Sequence, residues 1–178
     1  MTPASPLAAA RFRAIVPPLL DDAYSLAKWL CRDADDAQDI VQEAAVRALT
    51  ALETTAVDRP KPWFLAIVRN SAITWMARNR RKEEAFAGGL GELEDLQSAE
   101  ADAAPDPEAT LIAVEDGARL RRAMAALPAP LLEILVMRDV NGLSYRDIAD
   151  AAGMPIGTVM SRLARARGAL VRSMKAEP

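Results

Sequence analysis

Apolar residues recur along most of this chain with the spacing of one face of a helix. Between Asp35 and Leu52, the residues Ile40, Val41, Ala44, Ala48, Leu49 and Leu52 form an inward stripe. Between Pro62 and Lys82, Trp63, Phe64, Ile67, Val68, Ala72 and Met76 do the same. Before these lies a helical region over about residues 7–31, which Pro17-Pro18 should interrupt because each proline lacks a donor and crowds the preceding turn. Pro62 suits the first turn of its helix, with a loop from Glu53 to Lys61 ahead of it. Further on, helices are expected over Glu108–Leu127 and Leu131–Val140, separated by the corner Leu127-Pro-Ala-Pro130 and ended by Asn141-Gly142.

The pattern then changes to two short elements around a glycine. Ser144 can cap a first helix, with Asp147 closing the capping box, and Ile148, Ala149 and Ala152 form its inner face before Gly153 breaks it. After Met154-Pro155, a second helix places Val159, Leu163, Ala166 and Leu170 on one stripe. At about 100° per residue, Ser161, Ala164, Arg165 and Gly168 point the other way, flanked by Thr158, Met160, Arg162 and Arg167. This is the layout of a helix-turn-helix whose second helix has a basic, slim outer face of a size for the major groove. From Gly153 onward there are five cations (Arg162, Arg165, Arg167, Arg172, Lys175) against one acid, Glu177. Such an excess is costly unless a polyanion uses it, so DNA is the first partner to test.

Composition narrows the class. With 51% hydrophobic residues but only 4% aromatic, the chain should pack through Ala, Leu, Ile and Val, and the expected fold is all-α. The absence of histidine removes the usual general base and the commonest metal ligand, and the carboxylates show no nucleophile–base pairing. No enzyme activity, metal or cofactor is expected. A lone cysteine, Cys31, excludes an internal disulfide and reads as a small packed residue rather than a redox sensor. No apolar run is long enough to cross a bilayer and no secretory signal opens the chain, so a cytoplasmic location is expected.

The net charge of −3 conceals segregation. Lys61 to Lys82 holds six basic residues and no acid, whereas Glu83 to Asp116 holds eleven acids and no base. Residues 86–107 mix Gly, Pro, Ala and acids with little periodicity and read as a flexible tether. The organisation expected is therefore two small helical domains, 1–85 and 108–178, joined by the acidic linker 86–107, with the helix-turn-helix in the second. Such halves should be weakly coupled in the free chain and fixed relative to each other only by a partner.

Three segments resemble bacterial RNA polymerase sigma factors of the sigma-70 family, in particular the extracytoplasmic-function (ECF) type. They are Asp35–Leu49, similar to the family's acidic DAEDLVQE helix; Pro62–Asn70, similar to its AWLxxIARN helix; and Leu143–Ala149 with Gly157–Arg167, similar to its LSYxEIA and GTVxSRLxRAR pattern. The resemblance implies a factor that binds core RNA polymerase and directs promoter-specific transcription initiation. It implies that Asp36, Asp39, Gln42 and Glu43 dock on core polymerase. It also implies that the loop Glu53–Lys61 receives a flipped base of the minus-ten element, and that Arg69, Asn70, Thr74, Trp75, Arg78, Arg80 and Arg81 run beside the non-template strand. For the minus-thirty-five element it implies Arg146, Thr158, Met160, Ser161, Arg162, Arg165 and Arg167. Thr74 stands where many relatives carry Asp, and Met160 where many carry Arg or Lys. Partners implied are core polymerase, promoter DNA and an anti-sigma factor, with no small-molecule substrate and no membrane segment. Competing readings are a free-standing helix-turn-helix regulator, which leaves the acidic and basic helices of the first half unexplained, and a sigma mimic that titrates an anti-sigma factor, which has no need of intact basic faces.

Overall fold

The computed structural model describes residues 5–85 and 117–176, with side chains described for 5–79 and 117–175. Every regular element among the described residues is helical. The tether expected over 86–107 and the helix start expected at Glu108 lie outside them.

In the first half, α1 (Pro6–Ile15) is capped by Ser5, whose side chain accepts from the Ala8 amide. The Ser5 amide and hydroxyl both donate to the Glu53 carboxylate, at 2.8 and 2.7 Å, which ties the start of α1 to the segment after α3. These bonds hold the exposed Glu53 carboxyl below its ordinary pKa. Pro17-Pro18 interrupts the helical region as expected, forming a single 3-10 turn (Pro17–Leu19) before α2 (Leu20–Cys31). The chain leaves α2 through Arg32, at φ 64°, a left-handed position usually given to glycine. Asp33 then caps α3 (Ala34–Ala51), accepting from the Asp36 amide at 2.8 Å. Helix α4 spans Pro60–Ala85, so it is Pro60 that opens it, and the expected start at Pro62 is two residues late. Leu26, Leu30, Ile40, Phe64, Leu65 and Val68 are buried where α2, α3 and α4 meet.

In the second half, residues 117–125 are helical and form α5, followed by α6 (Ala129–Leu135). A single π-helical turn, Val136–Val140, extends α6 and closes with the Asn141 amide on the Val136 carbonyl at 2.9 Å. Helix α7 (Tyr145–Ala152) carries the full capping box, with Ser144 and Asp147 bonding each other's backbone amides. Gly153 ends it at φ 62°, where a side chain would be strained although the space is open. Helix α8 covers Ile156–Ala176. Ile148, Val159, Leu163 and Ala166 are buried with Leu132, Ile134 and Met137, and Leu170 lies at the margin.

The two halves are not separate bodies. Helix α4 packs against α7, and α2 packs against α6 and the π turn, so the buried apolar residues of both halves form one continuous cluster. The two halves thus touch directly in this structure. The physical reason is polar as well as apolar. Arg69 of α4 reaches Glu133 of α6 at 3.0 Å, with side chains only 13% and 8% exposed. Asn141 donates to the backbone and side-chain oxygens of Asp22, at 3.0 and 3.2 Å. Such long-range partners leave no periodic trace in a sequence.

Candidate nucleic-acid and polymerase interface

Helix α3 shows an acidic face built by its own period. Asp35, Asp39, Gln42 and Val46 lie within about 60° of one another around the helix and are all exposed. Asp36 and Glu43 flank this face and are half-buried. Burial, and then the neighbouring carboxylates of Asp33, Asp39 and Asp35, raise the Asp36 pKa. Ionising Asp36 therefore works against the folded state as pH rises through its titration. Glu43 pairs with Arg47 at 2.5 Å. Val46, 61% exposed, is an apolar side chain set amid these polar groups at helical spacing from Asp39 and Gln42.

On α4, Asn70 and Arg78 are exposed and Thr74 is half-buried, its hydroxyl donating to the Asn70 carbonyl at 2.8 Å. Thr74 thus satisfies its side chain within its own helix, without the charge an Asp would bring. Trp75 is half-buried against the core. Arg69, about 100° round the helix from Asn70, donates to the Asn70 side-chain oxygen at 3.2 Å and to Glu133 at 3.0 Å. The side chains of Arg80 and Arg81 lie outside the described residues.

The segment between α3 and α4 borders an open cleft of about 300 Å³ lined by Val57, Arg59, Trp63, Asp147, Asp150 and Ala151 among others. Arg59 bonds Asp147 and, at 2.8 Å, Asp150, and these bonds raise its already high pKa. Lys61 pairs with Asp22 at 2.8 Å.

In the helix-turn-helix, Met160, Ser161, Ala164 and Arg165 are exposed as the period requires, Thr158 is half-buried, and Arg146 of α7 is exposed. Arg165 donates to the Ser161 carbonyl at 3.4 Å, which lays its side chain along the outer face. The two flanking arginines are committed within the protein: Arg162 lies 3.6 Å from Glu133, and Arg167 grips Asp139 at 2.5 Å. The apparent excess of cations at the end of the chain is therefore partly balanced by acids that precede the helix-turn-helix. Neither Glu133 nor Asp139 belongs to a motif or a periodic charged face in the sequence.

Cys31 is half-buried and donates to the Asp33 carbonyl at 3.2 Å. Burial, reinforced by Asp36 and Asp33, pushes its pKa up to about 11. A shift of this size lowers the thiolate fraction at neutral pH by about a hundredfold. Iodoacetamide should accordingly label Cys31 far more slowly in the native chain than in urea. Equal rates would show an activated thiol.

Two family models match consecutive parts of the chain: Sigma-70 region 2 over residues 16–82 and Sigma-70, region 4 over residues 117–170. The RNA polymerase sigma-H factor of Pseudomonas aeruginosa is 34% identical over 153 residues, which cover 80% of this chain and 75% of that protein. The chain belongs to the sigma-70 family. Its ECF character is supported by the ECF RNA polymerase sigma-E factor of Escherichia coli K12, 31% identical over 137 residues, covering 76% of this chain and 72% of that one. Among solved structures, the sigma factor RpoE of Bartonella quintana, crystallised with the anti-sigma factor NepR, has the same fold, with a TM-score of 0.77 at 24% identity over 94% of this chain and 99% of that one. CnrH, solved with the cytosolic domain of CnrY, matches with a TM-score of 0.64 at 22% identity over 96% and 91%. Region 2 thus corresponds to α2–α4, and region 4 to α5–α8. No helix among the described residues is long and apolar enough to cross a membrane.

Proposed function

We propose that this ECF-type sigma factor acts in the cytoplasm by binding core RNA polymerase through α3 and reading promoters with α4 and α8, without catalysing a reaction itself. The observation that carries this reading is the presence of both region 2 and region 4 in one chain, each with its polar surface present. Asp36, Asp39, Gln42 and Glu43, joined by Val46, are the core-binding residues. Asn70, Thr74, Arg78 and, once released from Glu133, Arg69 are the described minus-ten contacts, with Arg80 and Arg81 further along the same helix and Trp75 as a base-stacking group. The loop before Pro60 is the receptor for a flipped base. Arg146, Thr158, Met160, Ser161 and Arg165 meet the minus-thirty-five element, where Met160 offers apolar contact to a thymine methyl. Arg162 and Arg167 join them by exchanging a carboxylate for phosphate. An anti-sigma partner is supported by the family and by the company in which RpoE and CnrH were solved.

The purified chain added to core polymerase should yield transcripts from defined start sites, absent with core alone. DNA binding without transcripts would instead favour a free-standing helix-turn-helix regulator, and anti-sigma binding with neither would favour a sigma mimic.

A further inference from the structure

Helix α1 ends just before residue 16, where the match to Sigma-70 region 2 begins, yet it is bonded to the loop that follows α3. Glu53, the first residue of that loop, receives the Ser5 amide and hydroxyl on its two carboxylate oxygens, at 2.8 and 2.7 Å. Arg11, farther along α1, donates from Nη1 to the Leu52 carbonyl at 3.4 Å. Leu52 itself is buried, so the backbone leaving α3 is held by packing on one side and by α1 on the other. The next amides are also committed, Thr54 and Thr55 both donating to the Ala51 carbonyl at 3.2 and 2.9 Å. At its far end the loop is anchored within the same half by Lys61, which pairs with Asp22 of α2. Between the two anchors, Thr54, Thr55, Ala56 and Asp58 are exposed.

We propose that α1 is a positioning element for minus-ten reading, in which Ser5, aided by Arg11, fixes where the loop starts and thereby which flipped base it accepts. The proposal rests on the assignment of Glu53–Lys61 as the receptor for that base. Extruding a base from the stack is costly, and a receptor offsets the cost only where its donors and acceptors stand at the right distance and angle. A loop free at its first residue spreads over many conformers, and the receptive one is diluted accordingly. Holding Glu53 raises the receptive fraction. The base that fits the held conformer gains most from this and the others gain least, so the clamp acts on preference as well as on affinity. Ser5 and Arg11 touch no DNA themselves; they act through the loop. The Ser5 contact suits this work because both of its bonds end on one ionised carboxylate, which strengthens and orients them.

Ser5 also caps α1, accepting from the Ala8 amide, so the test keeps the cap and changes only the clamp. Asn and Asp both cap helices well. Ser5→Asn retains a side chain that can donate to Glu53, whereas Ser5→Asp sets a second carboxylate against it. Two readouts are taken on the full chain. Amide hydrogen exchange at Thr54 and Thr55 in the free protein should be about threefold to tenfold faster in Ser5→Asp than in Ser5→Asn. In transcription of a promoter library with core polymerase, Ser5→Asp should flatten the preference at one minus-ten base by about threefold or more, and Ser5→Asn should keep it. Glu53→Ala, alone and combined with Ser5→Asp, completes a cycle. A double variant no worse than the worse single places both residues in one clamp, whereas additive losses would make Glu53 a direct base contact and overturn the positioning role. Equal exchange in Ser5→Asp and Ser5→Asn, or faster exchange with unchanged base preference, would overturn it as well. Absence of promoter-specific transcripts from the unmodified chain would overturn the sigma reading and the loop's role together, while exchange, which needs no polymerase, would still report the clamp.

Discussion

Asp39→Arg combined with Gln42→Ala should weaken binding to core polymerase by about 3 kcal/mol, roughly a hundredfold in Kd. Both side chains are exposed on α3, so the change leaves no cavity and should not alter the melting temperature by more than a few degrees. The reversal places a cation in the middle of an acidic face that includes Asp35 and Asp36, and it confronts the basic surface this face would meet. It also removes one of the carboxylates that raise the Asp36 pKa, so Asp36 should titrate lower in the variant. Val46→Ala, which trims the apolar part of the same face, should cost less. Titration of labelled protein into core polymerase measures both variants. Affinity equal to that of the unmodified chain would move the core contact away from α3.

The second large effect is expected at Arg165. Its side chain lies on the outer face of α8, about two and a half helical turns from the start of the helix, and forms no ion pair among the described residues. If it reads a guanine edge, Arg165→Ala should cost about 1–3 kcal/mol at minus-thirty-five sequences and relax the preference at one base. Arg172, exposed farther along the same helix, should on replacement by Ala weaken binding evenly across sequences. A promoter library transcribed by each variant separates the two. Uniform losses for both would make Arg165 a phosphate contact only.

What the sequence made legible was what neighbouring residues decide among themselves. The capping box of Ser144 and Asp147, the stop at Gly153, the break at Pro17-Pro18 and the buried stripe of Val159, Leu163 and Ala166 all follow from interactions within a few residues. Even there, local signals competed: Pro60 and Pro62 can both begin a helix, and α4 begins at the earlier one, with the Trp63 amide bonded to the Arg59 carbonyl. Region 4's outer face was readable because a period of 3.6 separates Ser161 and Arg165 from the stripe. The closure of one half on the other was not. It depends on Asp22 meeting Asn141 across 119 residues and Arg69 meeting Glu133 across 64, and each of those residues is unremarkable in its own segment. Arginines counted as available to DNA proved to be shared with carboxylates, a distinction that charge counting cannot make.

The π turn at Val136–Val140 carries a geometrical consequence. A π turn holds one residue more than a regular helix needs, and here that extra residue lets Asp139 face α8 while Asn141 faces Asp22. Losing a single residue at this place would restore an ordinary helix and leave no spare position from which to serve both partners. Each helix of the helix-turn-helix would survive intact, yet the pair would lose one of the anchors that seat it. The turn therefore works as an indexing joint, at which the shortest possible deletion loosens that seat without changing any reading surface.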